Sequence, residues 1–128
     1  MEKEKSVLSV LYIDDELPAR EMVAKMLRWK GHEVYTAGDG RTGLQLFREY
    51  KPAVIVTDII MPEMDGIEMS REVRKVCLNI PIIIASANWH DRYRFDLENL
   101  GISHFIQKPI QLEQLAAAIE SCYSGSDV

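Results

Sequence analysis

The chain has 128 residues, 47% hydrophobic and 27% charged, with 15 lysines and arginines against 20 aspartates and glutamates, a net charge of −5. That size and balance fit one domain with a single core, and the acidic excess argues against direct nucleic-acid binding by this piece. The apolar runs are strand-sized and the opening Met-Glu-Lys-Glu-Lys has no apolar stretch, so neither a membrane span nor a signal peptide is expected.

In chain order, Val7 to Ile13 reads as a strand that ends in Asp14, Asp15 and Glu16, and Pro18 then suits the first turn of a helix. Met22, Val23, Met26 and Leu27 form that helix's apolar stripe, and Gly31 ends it. Glu33 to Ala37 follows as a short strand, and Asp39-Gly40 opens a second helix with Leu44 and Phe47 inward. Residues 53–56 are all apolar, the pattern of a strand covered on both faces in a parallel sheet, and they lead into Thr57 and Asp58. Pro62 and Gly66 break the chain, and Asp65-Gly66 opens a third helix marked by Ile67, Val73, Val76 and Cys77. Pro81 to Ser86 is a fourth strand, followed by a helix from about Asp91 to Leu100 with Phe95, Leu97 and Leu100 as candidates for its buried side. His104 to Gln107 is the fifth strand and runs into Lys108-Pro109, and Leu112, Leu115, Ala116 and Ile119 mark the fifth helix. The whole is one domain over 1–128, its core about 7–123, with 124–128 a flexible tail or the start of a linker. Cys77 and Cys122 have no metal or redox spacing and read as buried free thiols, and His32, His90 and His104 show no ligand spacing.

The alternation of strand and helix gives a parallel α/β sheet, and such sheets place their ligand sites at the carboxyl ends of the strands. Asp14, Asp15, Asp58, Ser86 and Lys108 all fall at strand ends. Two carboxylates about 5 Å apart repel by roughly 3 kcal/mol at an effective dielectric of about 20, so a positive partner is required. A hard divalent cation suits an all-oxygen cluster, and Lys108 is the second candidate. Taken singly, each residue has a plain reading. The acids could be a solvated helix start, Ser86 an ordinary strand-end hydroxyl, Lys108 a surface lysine and Phe105 a core aromatic.

Together, Asp14-Asp15, the Asp58-x-x-Met61-Pro62-x-Met64-Asp65-Gly66 run, Ser86-Ala87 and Lys108-Pro109 resemble the receiver domain of bacterial two-component response regulators, from about Val7 to Tyr123. The resemblance implies a doubly wound, flavodoxin-like (βα)₅ fold with strand order 2-1-3-4-5 and a cytoplasmic phosphorylation switch. A histidine kinase or phosphotransfer protein would donate a phosphoryl group to Asp58 in the presence of Mg²⁺. Asp15 and Asp58 would be direct ligands of that ion, Asp14 would act through water, and Ile60 would lend its backbone carbonyl. Lys108 would pair with the phosphate, Ser86 would swing to a phosphoryl oxygen, and Phe105 would be the switch aromatic. Pro109 would follow a cis peptide bond. The face formed by the fourth helix, fifth strand and fifth helix would carry the signal to an output domain or a downstream protein. A homodimer stays open, although the fifth helix lacks the basic residues of one family dimer mode.

The segment from Asn88 to Phe95 is more aromatic than the resemblance leads one to expect. Trp89 reads as a partner contact, and Tyr93 and Phe95 as either core or contact. A second functional reading, a magnesium-dependent phosphohydrolase of the haloacid dehalogenase type, also uses a strand-end aspartate. It needs an acid two residues further on, where this chain has Ile60. A third, a degenerate receiver that only docks partners, is opposed by the intact acids, Ser86 and Lys108.

Overall fold

Five parallel strands form one sheet in the order β2-β1-β3-β4-β5, seen in a computed structural model that describes residues 8–87 and 93–125. The strands are β1 (Ser9–Ile13), β2 (Glu33–Ala37), β3 (Val54–Thr57), β4 (Ile82–Ser86) and β5 (His104–Gln107). The helices are α1 (Leu17–Trp29), α2 (Gly40–Tyr50), α3 (Gly66–Val76), α4 (Arg94–Asn99) and α5 (Leu112–Gly125). The expected fold is therefore the observed one. The register places Ile13 opposite both Ala37 and Thr57, so the residues that follow β1 and β3 emerge side by side.

Alternation along β1 divides the interior in two. Leu11 and Ile13 pack with Leu44, Phe47, Ile67, Val73 and Leu97 on the face covered by α2, α3 and α4. Val10 and Tyr12 pack with Val23, Leu27, Leu115 and Ile119 on the face covered by α1 and α5. The central strands β3 and β4 are buried along their whole length, which is why their sequences show no polar alternation.

The helix boundaries follow local chemistry. Pro lies in the first turn of α1, and Gly31, with φ +99°, stands just past its end. The Asp39 side chain accepts the Thr42 N–H at 2.8 Å to cap α2. Asp65 and Glu68 form a reciprocal capping box at the start of α3.

Several expectations need correction. Met22 is 59% exposed, because the α1 stripe centres on Val23, Ala24 and Leu27, which start about 100° around the helix from it. Val76 is also exposed and Cys77 is half-buried, because α3 ends at Val76 and Cys77 is already extended. On α4 it is Leu97 that is buried, whereas Phe95 is 71% exposed. Helix α5 runs to Gly125, past the point where a flexible tail was expected to begin. Val7, Asn88, Trp89, His90 and Asp91 lie outside the described residues, as does the start expected for the fourth helix. Among the described residues, no helix is long and apolar enough to cross a membrane.

Candidate functional site

Because β1 and β3 are parallel neighbours, Asp14 and Asp58 leave the sheet at the same edge. With Asp15 they place one carboxylate oxygen each within 4.8 Å of one another. Asp14 is 1% exposed, the Asp58 side chain 14%, and Asp15 is exposed. The positive partner is Lys108. Its ammonium donates to Asp14 Oδ2 at 2.7 Å and to Asp58 Oδ2 at 2.8 Å, so a single lysine ties the two strand ends together. The Lys108 N–H donates to the carbonyl of Ser86 at 3.0 Å, which fixes the root of the side chain against β4, and the Lys108–Pro109 peptide is cis as expected.

The carboxylates are also held from behind. Asp58 Oδ1 accepts the Ile59 N–H at 2.7 Å. Asp14 Oδ1 accepts the Glu16 N–H at 3.1 Å, and Asp14 Oδ2 accepts the Tyr12 hydroxyl at 3.1 Å. Arg20 donates to the Asp14 main-chain carbonyl at 2.8 Å. The loop after Asp58 folds tightly back. Gly66 N–H donates to the Ile59 carbonyl at 2.7 Å, and a Cβ on Gly66 would stand 2.1 Å from the Asp58 carbonyl oxygen, so only glycine fits there. Ile59 and Met61 are buried, whereas Ile60 between them is 57% exposed beside the site. Ser86 is 3% exposed at the end of β4, and Phe105 on β5 is 46% exposed.

Burial acts to lower the Lys108 pKa, but its hydrogen bonds to Asp14 and Asp58 and their negative charge outweigh that, and the net direction is upward. The fold therefore holds this proton more tightly than the unfolded chain does. The resulting stability is complete below the unfolded lysine value of about 10.4 and is lost as pH rises through the higher folded value. Thermal melts should show this contribution as flat up to about pH 10 and as a falling midpoint above it, with a shallower fall in Lys108→Met. Parallel curves for the two proteins would contradict the assignment.

Of the residues singled out in the sequence, Asp14, Asp15, Asp58 and Lys108 meet in one cluster. Ser86 joins them through its backbone bond to Lys108, Ile60 borders them in the chain, and Phe105 faces outward on the edge strand. Tyr12 and Arg20 were missed. Tyr12 was legible, since it precedes Asp14 by two in a strand and so shares its face. Arg20 was not, because its reach back past the start of α1 to the Asp14 carbonyl, six residues earlier, depends on the angle between α1 and β1.

The set of hard carboxylate oxygens fits a hard divalent cation of the magnesium kind. A doubly wound domain with an acidic, lysine-bridged cluster at the carboxyl edge of its central strands is what the sheet and side chains define. The chain belongs to the response regulator receiver domain family, whose model matches residues 10–120. Proteins of this family are two-component signalling regulators rather than enzymes acting on an external substrate, and phosphorylation and magnesium binding are typical of them.

Response regulator MprA of Mycolicibacterium vanbaalenii is 31% identical over 112 residues, which are 88% of this chain and 48% of that protein. Regulatory protein AtoC of Escherichia coli is 32% identical over 87% of this chain and 24% of its own length. The chain thus spans half or less of these curated relatives. Among solved structures, the N-terminal domain of an uncharacterized protein from Wolinella succinogenes superposes with a TM-score of 0.87 at 32% identity, covering 94% of this chain and 97% of that one. Chemotaxis protein CheY4 of Vibrio cholerae does so with a TM-score of 0.83 at 29% identity, covering 91% of this chain and 99% of that one.

Proposed function

We propose that this domain is a phosphorylation-dependent switch in which Asp58 takes a phosphoryl group from a phosphohistidine on a histidine kinase or phosphotransfer protein. The observation that carries this reading is the Lys108 ammonium shared between Asp58 and Asp14 at a strand-end acidic cluster. An Asp58 carboxylate oxygen attacks phosphorus and the P–N bond breaks. The electron pair returns to the imidazole, which takes a proton from solvent, and an acyl phosphate remains on Asp58. Lys108 is within reach of Asp58, and its charge would offset that on a phosphoryl oxygen. Asp14, Asp15, Asp58 and the Ile60 carbonyl would hold magnesium, which when bound supplies further neutralisation of phosphoryl charge. A cavity of about 360 Å³ beside Lys108, lined by Met22, Val23 and Met26 of α1 and by Pro109 and Ile110, offers the partner an apolar seat next to the acceptor.

The output surface in this reading is the face of α4, β5 and α5, where Phe95 and Phe105 are exposed, and it would act on an output domain or a downstream protein. The phosphohydrolase reading finds no second acid, since the position two past Asp58 is the exposed Ile60.

Incubation with phosphoramidate and magnesium should add a single phosphoryl group that is lost in mild base. A protein left unmodified would overturn the proposal. Ser86→Ala should still accept the phosphoryl group but transmit little of it, because moving a two-state equilibrium from about 1:99 to 99:1 needs roughly 5.5 kcal/mol of contacts made in one state only. The readout is amide shift change around Phe105 and α4 on adding beryllofluoride with magnesium. A full wild-type response in Ser86→Ala would place the switch elsewhere.

A further inference from the structure

We propose that Tyr12 is a positioning residue for the phosphoryl transfer. Its hydroxyl keeps Asp14 satisfied when Lys108 turns from Asp14 to the incoming phosphoryl group, and so it eases release of the lysine. The inference rests on the phosphoacceptor reading of Asp58 and concerns a side chain which that reading does not use.

Tyr12 is 1% exposed and packs among Val10, Val23, Val56 and Ile106, an environment that a phenylalanine would fill without bringing a polar atom. Burying a phenol there costs free energy unless the hydroxyl is paired, and its partner is Asp14 Oδ2 at 3.1 Å. The same Asp14 oxygen takes the Lys108 ammonium at 2.7 Å, whereas Asp14 Oδ1 takes the Glu16 N–H, its one donor among the described residues.

For Lys108 to reach a phosphoryl oxygen it must loosen its hold on a carboxylate that is almost wholly buried. A buried charge stripped of its partner is strongly penalised. With the phenol in place, Asp14 retains two donors after the lysine leaves. Without it, the Glu16 N–H would be the one protein donor left to Asp14 among the described residues, and Asp14 would grip the ammonium harder. Tyr12, Asp14 and Lys108 also line the same cavity beside α1, so the three groups share one partly open environment.

The test is the rate of Asp58 phosphorylation by phosphoramidate at saturating magnesium in the wild type, Tyr12→Phe, Lys108→Ala and the double variant. Tyr12→Phe should slow transfer roughly three- to tenfold, a fraction of a charge-assisted hydrogen bond. In the Lys108→Ala background the same change should have no effect, because no ammonium has to be released. In the resting protein the Lys108 ammonium protons should exchange with solvent more slowly in Tyr12→Phe than in wild type. Equal slowing in both backgrounds, no slowing in either, or faster ammonium exchange would overturn the proposal. A second substitution keeps the shape: 3-fluorotyrosine at position 12 is a stronger donor and should transfer at least as fast as tyrosine, and slower transfer would count against the idea. Failure of the underlying reading looks different, since wild type itself would then remain unmodified.

Discussion

Asp58→Asn should lose phosphorylation altogether while keeping its fold. An amide is not a nucleophile toward phosphorus, so the base-labile adduct that wild type gains with phosphoramidate should be absent even after long incubation. The fold should survive because the lost and gained interactions nearly cancel. The amide oxygen can still accept the Ile59 N–H, and Lys108 still has Asp14 at 2.7 Å. One hydrogen bond to the ammonium disappears, and with it goes the repulsion between Asp58 and two neighbouring carboxylates. The net change should fall within about 1 kcal/mol, a shift of a few degrees at most for a domain of this size. Intact-mass measurement with a thermal melt checks both halves. An adduct that persists in this variant would mean that the acceptor lies elsewhere.

Gly66→Ala should damage stability and site together. The added methyl would stand 2.1 Å from the Asp58 carbonyl oxygen and 3.1 Å from the Ile59 Cα. Those are backbone atoms, so no rotamer change relieves the clash. Either the start of α3 moves, breaking the 2.7 Å bond from Gly66 N–H to the Ile59 carbonyl, or the end of β3 moves and takes Asp58 with it. Overpacking of this kind costs about 2–4 kcal/mol, which should lower the melting midpoint by roughly 10 °C. A displacement of about 1 Å at the acceptor should also slow phosphorylation by roughly 100-fold. Gly31→Ala is the informative contrast. Its φ of +99° strains any side chain, but nothing lies within 4 Å of the added methyl, so it should cost only about 1 kcal/mol and leave phosphorylation unchanged. A Gly66→Ala protein with wild-type midpoint and rate would refute the packing account.

The elements of this fold were legible because the central strands β1, β3 and β4 are mostly apolar runs, and because Asp14, Gly38, Asp58 and Pro109 mark breaks in the chain at the ends of β1, β2, β3 and β5. Strand order and the convergence of Asp14, Asp58 and Lys108 were legible only as a pattern of four strand ends matched to a known family. No local propensity places residue 108 beside residue 14. What escaped was set by geometry between elements. Met22 sits on the apolar stripe by spacing yet lies at its margin, beside the cavity next to Lys108. Phe95 has the composition of a core residue, but the short α4 buries Leu97 instead. The phenol of Tyr12 was overlooked because tyrosine in a strand looks like ordinary filling.

Strand β5 is the least embedded of the five. It lies at an edge of the sheet, and of its four residues only Ile106 is buried. Its flanking helices belong to different interiors, with Leu97 of α4 on one side of the sheet and Leu115 of α5 on the other. Free energy of local opening varies across a protein, and edge elements with few apolar contacts lie at its low end. Lys108, which bridges Asp14 and Asp58, is thus mounted at the end of the strand that yields most easily. Mechanically, the domain resembles a stiff frame with one compliant slat. Under the proposed function, a pull on the lysine would be absorbed by β5 before it disturbed β1 or β3, so the displacement would appear where α4 and α5 meet the solvent while Asp58 stayed where it was.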